Sequence, residues 1–240
     1  MGSGVSGGGG RAARASALAL ALAAQAGWSS AQPAWPPGLD AAFAERSLSE
    51  LAAQGFARPG FVDLSARPPK APAWVLAQAE GSPGAALFSV VKGHGAAAEC
   101  WVALRPQSAP GSPEWMLAGA GAASGSTESA MWRAMLRHEL GHCALARLAG
   151  PGGPPDLFRA EPFADVFALD WSERSEPGSS ALGESFARAR SMVSGGPRAT
   201  SAEIRRWLRA PRPASPCQAA WTAAPLDARA PSQACPAPGR

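Results

Sequence analysis

The sequence has no tyrosine and only three histidines among its 240 residues. A site that needs imidazole groups therefore has few residues to draw on, and no phenolic hydroxyl can donate a hydrogen bond. Charged residues are also scarce, at 17%, and the formal net charge of +4 is not gathered into a Lys/Arg block. Because binding to a phosphate backbone needs such a basic surface, the composition does not favour nucleic-acid binding.

The N-terminal apolar run is too short to cross a bilayer, which takes about 20 residues. It covers residues 15–24, follows the positive residues Arg11 and Arg14, and runs into an A-x-A cleavage pattern that ends at Ala26. A positive flank, a short apolar core and an A-x-A pattern are typical of a secretory signal peptide. We therefore expect residues 1–26 to be a signal peptide that is removed on export.

Two alternatives to this cleavage stay open. Ser29-Ser30-Ala31 offers a second cleavage site, and the apolar run could instead stay attached as an uncleaved anchor. With the signal removed, we expect a secreted or periplasmic protein with no stable membrane insertion.

Glycine and proline are abundant, at 27 and 24 residues, and they concentrate at the two ends and in short connecting runs. Such runs are typical of loops and tails and not of packed elements. We therefore predict one domain over residues 40–210, with a leader at 27–39 and a Pro/Ala-rich tail at 211–240.

Hydrophobic periodicity predicts an α+β fold with a small antiparallel sheet. Asp40 is a predicted N-cap for a helix over residues 41–54, and a proline-bearing connector follows at 58–71. The predicted strands cover residues 73–79, 85–92, 99–105 and 114–118, and the second and third are joined by a hairpin turn at 93–95. The other predicted helices cover residues 128–149, 162–171, 186–193 and 201–209.

The longest of these helices contains the sequence His138-Glu139-Leu140-Gly141-His142. Residues four apart lie on the same face of an α-helix, because each residue advances about 100° around the axis. His138 and His142 can therefore face one metal ion, with Glu139 beside them to act on a metal-bound water. This HExxH pattern predicts a zinc site with two imidazole ligands and a carboxylate base.

A catalytic zinc needs a third protein ligand, and the sequence offers candidates downstream. An extended metzincin pattern would place a glycine at 145 and a histidine at 148, but the chain has Leu145 and Leu148. Glu161 and Asp165 are better candidates, since their spacing places both carboxylates on one face of a helix.

The HELGH motif followed by Glu161 and Asp165 resembles the gluzincin clan of zinc metallopeptidases, the thermolysin-like group, and also the bacterial HELGH peptidases of the membrane and periplasm. The resemblance covers about residues 126–171. It implies a zincin-like fold, in which a sheet packs on the motif helix and the following helix supplies a ligand. It implies that Glu161 is the third ligand, beside His138 and His142, and that Asp165 hydrogen-bonds His138 from behind.

Pro162 is a departure from that pattern, because it directly follows the expected ligand. A proline in the first turn would place Glu161 at the helix cap and not within the helix. Asp165 or Asp156 could then be the third ligand instead of Glu161, and these alternatives stay open.

The resemblance also implies an activity: hydrolysis of a peptide or protein substrate by a zinc-activated water, with Glu139 as the general base. The developing oxyanion needs a further hydrogen-bond donor, for which relatives commonly use Tyr or His. Since this chain has no tyrosine, His94 and Arg159 are the candidates. The strand predicted at 114–118 would offer an edge to which an extended peptide could add.

The chain has four cysteines, Cys100, Cys143, Cys217 and Cys235. An even number in an exported protein predicts disulfides, and three pairings are open. We favour Cys217 with Cys235, because the Pro/Ala-rich tail between them could not pack unaided, and this leaves Cys100 with Cys143. Cys143 follows His142 by one residue and so points away from the metal face of the helix.

Two other interpretations fit the same residues. In the first, the zinc site only holds an exported binding domain together, and Glu139 has no catalytic role. In the second, the chain is an exported interaction protein without metal, and the histidine-bearing helix is merely amphipathic. Metal content distinguishes the two, because only the second predicts none.

Overall fold

The structure is a computed structural model that describes residues 35–66, 68–106, 112–149, 156–176, 181–192, 196–223 and 235–236. The predicted signal peptide, most of the predicted leader and residues 150–155, which follow the helix predicted to carry the HExxH motif, lie outside the described residues.

The described residues form a mixed α+β fold that is mostly helical and contains a three-stranded sheet. The α-helices are α1 Ala41–Ala53, α2 Ala73–Glu80, α3 Pro113–Ala123, α4 Glu128–Leu148, α5 Leu157–Ser175, α6 Leu182–Met192, α7 Ser201–Arg209 and α8 Pro216–Ala223. The strands are β1 Gly60–Asp63, β2 Leu87–Lys92 and β3 Glu99–Leu104. Short 3₁₀ turns cover Gly95–Ala97 and Gly196–Arg198.

The sheet is mixed, so the purely antiparallel sheet that the pattern predicts is wrong. β2 and β3 form the predicted antiparallel hairpin, whereas β1 lies parallel to β3 on its other side. β1 falls in the segment predicted as a connector, because its four residues are too few to show a clear alternation. Gly60 permits the pairing, since a Cβ there would overlap the ring of Trp101. Within the described residues β2 pairs with β3 alone and is therefore an edge strand.

Two segments predicted as strands are the helices α2 and α3. In α2 the buried residues are Val75 and Ala79, four apart, as expected for one face of a helix and not for the alternation of a strand. α3 follows Ser112, which accepts a hydrogen bond from the Trp115 amide, and has Pro113 in its first turn. These signals for a helix start outweigh the apolar character on which the strand prediction depended.

The two helices that carry the predicted ligands are α4 and α5. α4 follows its prediction closely. α5 begins earlier than predicted, at Leu157 after the N-cap Asp156, so that Pro162 lies inside the helix. The proline removes one backbone hydrogen bond, but it does so in the second turn, close to the helix start. The prediction that Glu161 sits at a helix cap is therefore wrong, since Glu161 is itself within the helix.

The hydrophobic core lies around α4 and α5. Trp132, Phe163 and Phe167 are fully buried, and the rings of Phe163 and Phe167 stack with their centroids 5.9 Å apart. α8 joins this core through Trp221, whose ring meets that of Phe163 edge to face. The tail predicted to be irregular beyond residue 211 therefore contains a buried helix, and that part of the prediction is wrong.

Two disulfides join Cys100 to Cys143 and Cys217 to Cys235, which confirms the favoured pairing. The first ties β3 to α4 directly after His142, and the second closes the tail onto α8. Disulfides of this kind indicate an oxidising compartment. In the described part of the chain, none of the helices combines the length and the apolar character needed to cross a membrane.

α4 and α5 come into close contact at Gly141. A Cβ built on Gly141 would lie 2.9 Å from the Cα of Ala164, a distance that real Cβ atoms essentially never show. The missing side chain therefore allows α5 to lie against the face of α4 that bears His138 and His142. How closely Glu161 approaches the two histidines depends on this contact.

We predict that Gly141→Ala forces α4 and α5 apart. The overlap with Ala164 should lower the free energy of unfolding by about 1–3 kcal/mol, which the better helix propensity of alanine offsets only in part. Gly119→Ala in α3 is the matched control, because its Cβ would meet no atom within 4 Å and should leave the protein equally or more stable. Urea unfolding measures both variants; equal stabilities would show that Gly141 does not set the helix spacing.

Candidate metal centre

α4 and α5 bring three of the predicted ligands together. The Nε2 atoms of His138 and His142 lie 3.1 Å apart, as their spacing on one helix face predicts. The Glu161 carboxylate reaches them from α5, with Oε2 3.7 Å from His138 Nε2 and Oε1 3.5 Å from His142 Nε2. His138 and Glu161 are buried and His142 is half-buried. These three side chains form the His-His-Glu cluster.

The spacing of the His-His-Glu cluster fits one small metal ion. Zinc bonds to histidine nitrogen and carboxylate oxygen are about 2.0–2.2 Å long, which sets the edge of a ligand tetrahedron at about 3.3–3.6 Å. The contacts of 3.1, 3.5 and 3.7 Å are close to that length. Two imidazoles and one carboxylate are also a donor set that zinc accepts. The cluster can therefore hold a metal ion.

Behind His138, Asp165 contacts three different elements. Its Oδ1 lies 2.7 Å from His138 Nδ1 and 2.6 Å from a guanidinium nitrogen of Arg190, on α6. Its Oδ2 accepts a hydrogen bond from Thr200 Oγ1, and all four residues are buried. The contact with His138 is short but poorly aligned for a hydrogen bond, so it acts mainly through charge. Asp165 thus holds Nδ1 of His138 away from the cluster and leaves Nε2 to face a metal.

Burial and ion pairing act in opposite directions on the pKa values of these groups. Burial lowers the pKa of His138, but the charges of Asp165, Glu161 and Glu139 outweigh it and raise the pKa above its usual 6.5. Burial raises the pKa of Glu161, but the contacts with the two histidines outweigh it and lower the pKa to about 2. For Asp165 the same penalty of burial is outweighed by Arg190 and His138, so its pKa is lowered. Both carboxylates are therefore charged at neutral pH.

Glu139 lies beside the cluster with its two carboxylate oxygens in different surroundings. Oε2 accepts a hydrogen bond of 2.7 Å from the backbone amide of Ser89, on β2. Oε1 lies 4.0 Å from His138 Nε2 and faces the cluster. The Ser89 amide therefore orients the carboxylate, and Oε1 is the atom placed to accept a proton from a group at the cluster.

A cleft passes the His-His-Glu cluster. It contains a cavity of about 340 Å³ and a smaller one of about 50 Å³. Four residues line both cavities, namely Glu114, Glu139, Glu161 and Arg198. Elsewhere the larger cavity has an apolar wall, contributed by β2, α4 and α5, that includes Leu87, Phe88, Val91, Leu145, Ala146 and Leu157.

The other predicted site residues do not join the cluster. His94 is exposed at the start of the 3₁₀ turn Gly95–Ala97, and Arg159 is exposed in the first turn of α5. Neither lines either cavity of the cleft. Asp156 caps α5 and accepts a hydrogen bond from the Arg159 amide. Of the three carboxylates considered as a third ligand, the structure therefore places Glu161 in the cluster.

Several residues at the site escaped the sequence analysis. Ser89, Arg190, Arg198 and Thr200 reach it from segments remote from the HExxH motif, and Ser89 contributes a backbone amide that no side-chain pattern records. A signal did exist for Arg190, which lies four residues after the buried Phe186 on the same face of α6. An arginine in such a position needs a buried acid, and Asp165 supplies it.

No protein-family model, curated protein or solved structure matches this chain. The resemblance to the gluzincins therefore depends on the motif residues, and an assignment of function depends on the geometry of the cluster and its cleft.

We predict that Asp165→Asn weakens zinc binding by about 10–100-fold, because His138 loses the charge that favours its orientation and basicity. Asp170→Asn is the matched control: Asp170 is equally buried on α5 and accepts hydrogen bonds from Arg174 and Trp207, but it contacts no cluster residue. The Asp170→Asn variant should be less stable than the wild type and should bind zinc with the same affinity. Competition with a chelator, on folded protein, measures both; equal affinities would contradict the role given to Asp165.

The stability of the metal-free protein should depend on pH in two directions. Glu161 and Asp165 have lowered pKa values, so their contribution is full above the usual pKa of 4.5 for Glu161 and is lost as the pH falls toward about 2. His138 has a raised pKa, so its contribution is full below 6.5 and is lost as the pH rises through the raised value.

Urea midpoints of chelator-treated protein should therefore be highest between about pH 5 and 6.5 and should decline on both sides. Asp165→Asn should flatten both declines, because this carboxylate takes part in each ion pair. A midpoint that continues to rise above pH 7 would contradict these assignments.

Proposed function

We propose that this chain is an exported zinc metallopeptidase of the gluzincin type. The observation that carries the proposal is the convergence of His138, His142 and Glu161 on one point, with the carboxylate of Glu139 directed at the same point. Three protein ligands, and not four, are typical of a zinc site that keeps a position open for chemistry. A zincin-like arrangement of α4, α5 and the sheet belongs to this proposal.

In the proposed enzyme, His138, His142 and Glu161 would hold Zn²⁺, and the chemistry that a bound zinc would supply is to lower the pKa of a water toward 7 and to polarise the scissile carbonyl. Glu139 takes the proton from that water on Oε1, since Oε2 is engaged by the Ser89 amide. The same carboxyl group then delivers the proton to the leaving amine nitrogen. Asp165, Arg190 and Thr200 keep His138 oriented throughout and take no part in the proton transfer.

A peptide substrate fits the cleft because β2 forms one of its walls. Residues 114–118 belong to α3 and provide no strand edge, so the predicted binding edge is replaced by that of β2. Ala86 accepts a hydrogen bond from the Arg105 amide, so residues 87, 89 and 91 direct their backbone groups away from β3. An extended peptide can pair with the backbone groups of residues 87 and 91 and with the Ser89 carbonyl, whereas the Ser89 amide is engaged by Glu139. The apolar wall of the cleft receives one side chain of the peptide.

Export agrees with the two disulfides, which indicate an oxidising compartment. We propose that the protein acts outside the cytoplasm, in the periplasm or in the medium. The predicted signal peptide supports this and lies outside the described residues.

Glu139→Gln should retain one zinc per chain and lose peptidase activity by at least about 100-fold, because the amide cannot accept the proton. Glu184→Gln, which changes an exposed glutamate on α6, is the matched control and should keep both zinc and activity. Metal content and cleavage of a library of internally quenched peptides are measured on protein that lacks residues 1–26.

Three outcomes separate the interpretations. Loss of cleavage with zinc retained supports the hydrolase. Zinc in wild type and variant without cleavage by either supports the non-catalytic zinc domain. Absence of zinc from both contradicts the metal centre itself.

A further inference from the structure

The proposed reaction creates a negative oxygen, and the two residues that the sequence offers to stabilise it, His94 and Arg159, line neither cavity of the cleft. When water adds to a carbonyl, the π electron pair moves onto the oxygen, and a donor positioned there typically contributes about 10²–10³ in kcat. The chain has no tyrosine, and His94 does not line the cleft. If the cleft is catalytic, a different side chain must donate the hydrogen bond to this oxygen.

Arg198 is held at the cleft by a short and well-anchored segment. It ends the 3₁₀ turn Gly196–Arg198, which begins with a glycine at a φ of +71°, a conformation that other residues rarely adopt. Two residues later, Thr200 donates a hydrogen bond to Asp165, directly behind His138. The amide of Thr200 also bonds to the carbonyl of Arg198, at 3.0 Å. The anchor at the metal centre therefore holds the backbone of Arg198 beside the cleft.

Among the described residues, Arg198 is the cation of the cleft that has no ionic partner. The cleft contains two arginines, Arg190 and Arg198. Arg190 is buried and engaged by Asp165 and Glu161. The side chain of Arg198 is exposed and forms no hydrogen bond or ion pair with the described residues, although three glutamates line the same two cavities.

We propose that Arg198 is a catalytic residue that donates a hydrogen bond to the carbonyl oxygen of the substrate as it becomes an anion. The inference rests on the proposed peptidase function and assigns to Arg198 the part that tyrosine or histidine would otherwise take. A guanidinium suits the stabilisation of this oxygen, because the group is always charged and carries several donors in one plane.

The location of Arg198 favours the reacting carbonyl over the C-terminal carboxylate of a substrate. Arg198 lines both cavities together with Glu139, the proposed base, and Glu161, a proposed ligand. A carboxylate anchor would lie at least one residue's length away, about 3.3 Å or more along an extended peptide. The larger cavity also has an apolar wall that includes Leu145 and Leu157, and such a wall does not favour a carboxylate.

The reaction balances without a further reactant. The water oxygen bonds to the carbonyl carbon, its proton passes to Glu139 Oε1, and the π pair becomes the anion that Arg198 contacts. The pair then returns as the C–N bond breaks, and Glu139 returns the proton to the amine. Arg198 keeps its own protons throughout.

The test compares zinc-loaded wild type with Arg198→Gln, Arg198→Lys and Arg188→Gln. Arg188 is an exposed arginine on α6 that lines neither cavity, so its variant controls for the loss of one charge. The substrates are two internally quenched peptides of one sequence that the wild type cleaves, one with both termini blocked and one with a free C-terminus. A phosphonamidate of the same sequence, which carries a tetrahedral anion, is titrated by calorimetry as a measurement independent of turnover.

Arg198→Gln should lower kcat about 100-fold with KM changed less than about threefold, at unchanged zinc content. Its affinity for the phosphonamidate should fall by a similar factor, Arg198→Lys should recover part of both losses, and Arg188→Gln should match wild type. An unchanged kcat in a cleaving enzyme overturns the role of Arg198 alone. So does a loss confined to KM for peptides with a free C-terminus. A wild type that binds zinc and cleaves no peptide overturns the proposed function and this inference together.

Discussion

The close packing of two helices is the constraint on which the site depends. α4 presents both histidines on one face, but a pair of histidines alone is an incomplete site. Glu161 and Asp165 both come from α5, and they reach His138 because Gly141 has no side chain to separate the helices. The same contact that closes the core thus assembles the His-His-Glu cluster. Stability and metal binding are therefore linked through one interface.

Buried negative charge is the second constraint, and the fold compensates it with Arg190 from α6, the helix that follows α5. Two carboxylates of α5 lie near the two histidines, and Arg190 contacts both of them. Thr200 adds a neutral donor to Asp165. Without these partners, two buried negative charges would have to become protonated or draw in water. The segment that carries Thr200 also carries Arg198 to the cleft, so charge compensation and the proposed role of Arg198 share one anchor.

The sequence predicts best what depends on local periodicity. His138, Glu139 and His142 follow from one helical turn, and Glu161 and Asp165 follow from the motif and the spacing of a second helix. The placement of Ser89 or Arg190 depends instead on which elements meet in space, and sequence spacing does not contain that information. The strand predictions at α2 and α3 are wrong for another reason, which is that short apolar segments fit either a strand or a helix. For α3, the N-cap Ser112 and the first-turn Pro113 indicate a helix more reliably than the apolar pattern indicates a strand.

Every functional proposal for this chain requires that His138, His142 and Glu161 bind one metal ion. X-ray absorption at the zinc edge of the purified protein measures this binding, because the spectrum distinguishes imidazole, oxygen and sulfur ligands. We expect one zinc per chain, bound by two imidazoles and by oxygen at about 2.0–2.1 Å, with no sulfur ligand. A chain that binds no zinc, or whose zinc spectrum is unchanged in His142→Ala, would show that these three residues do not form a metal site.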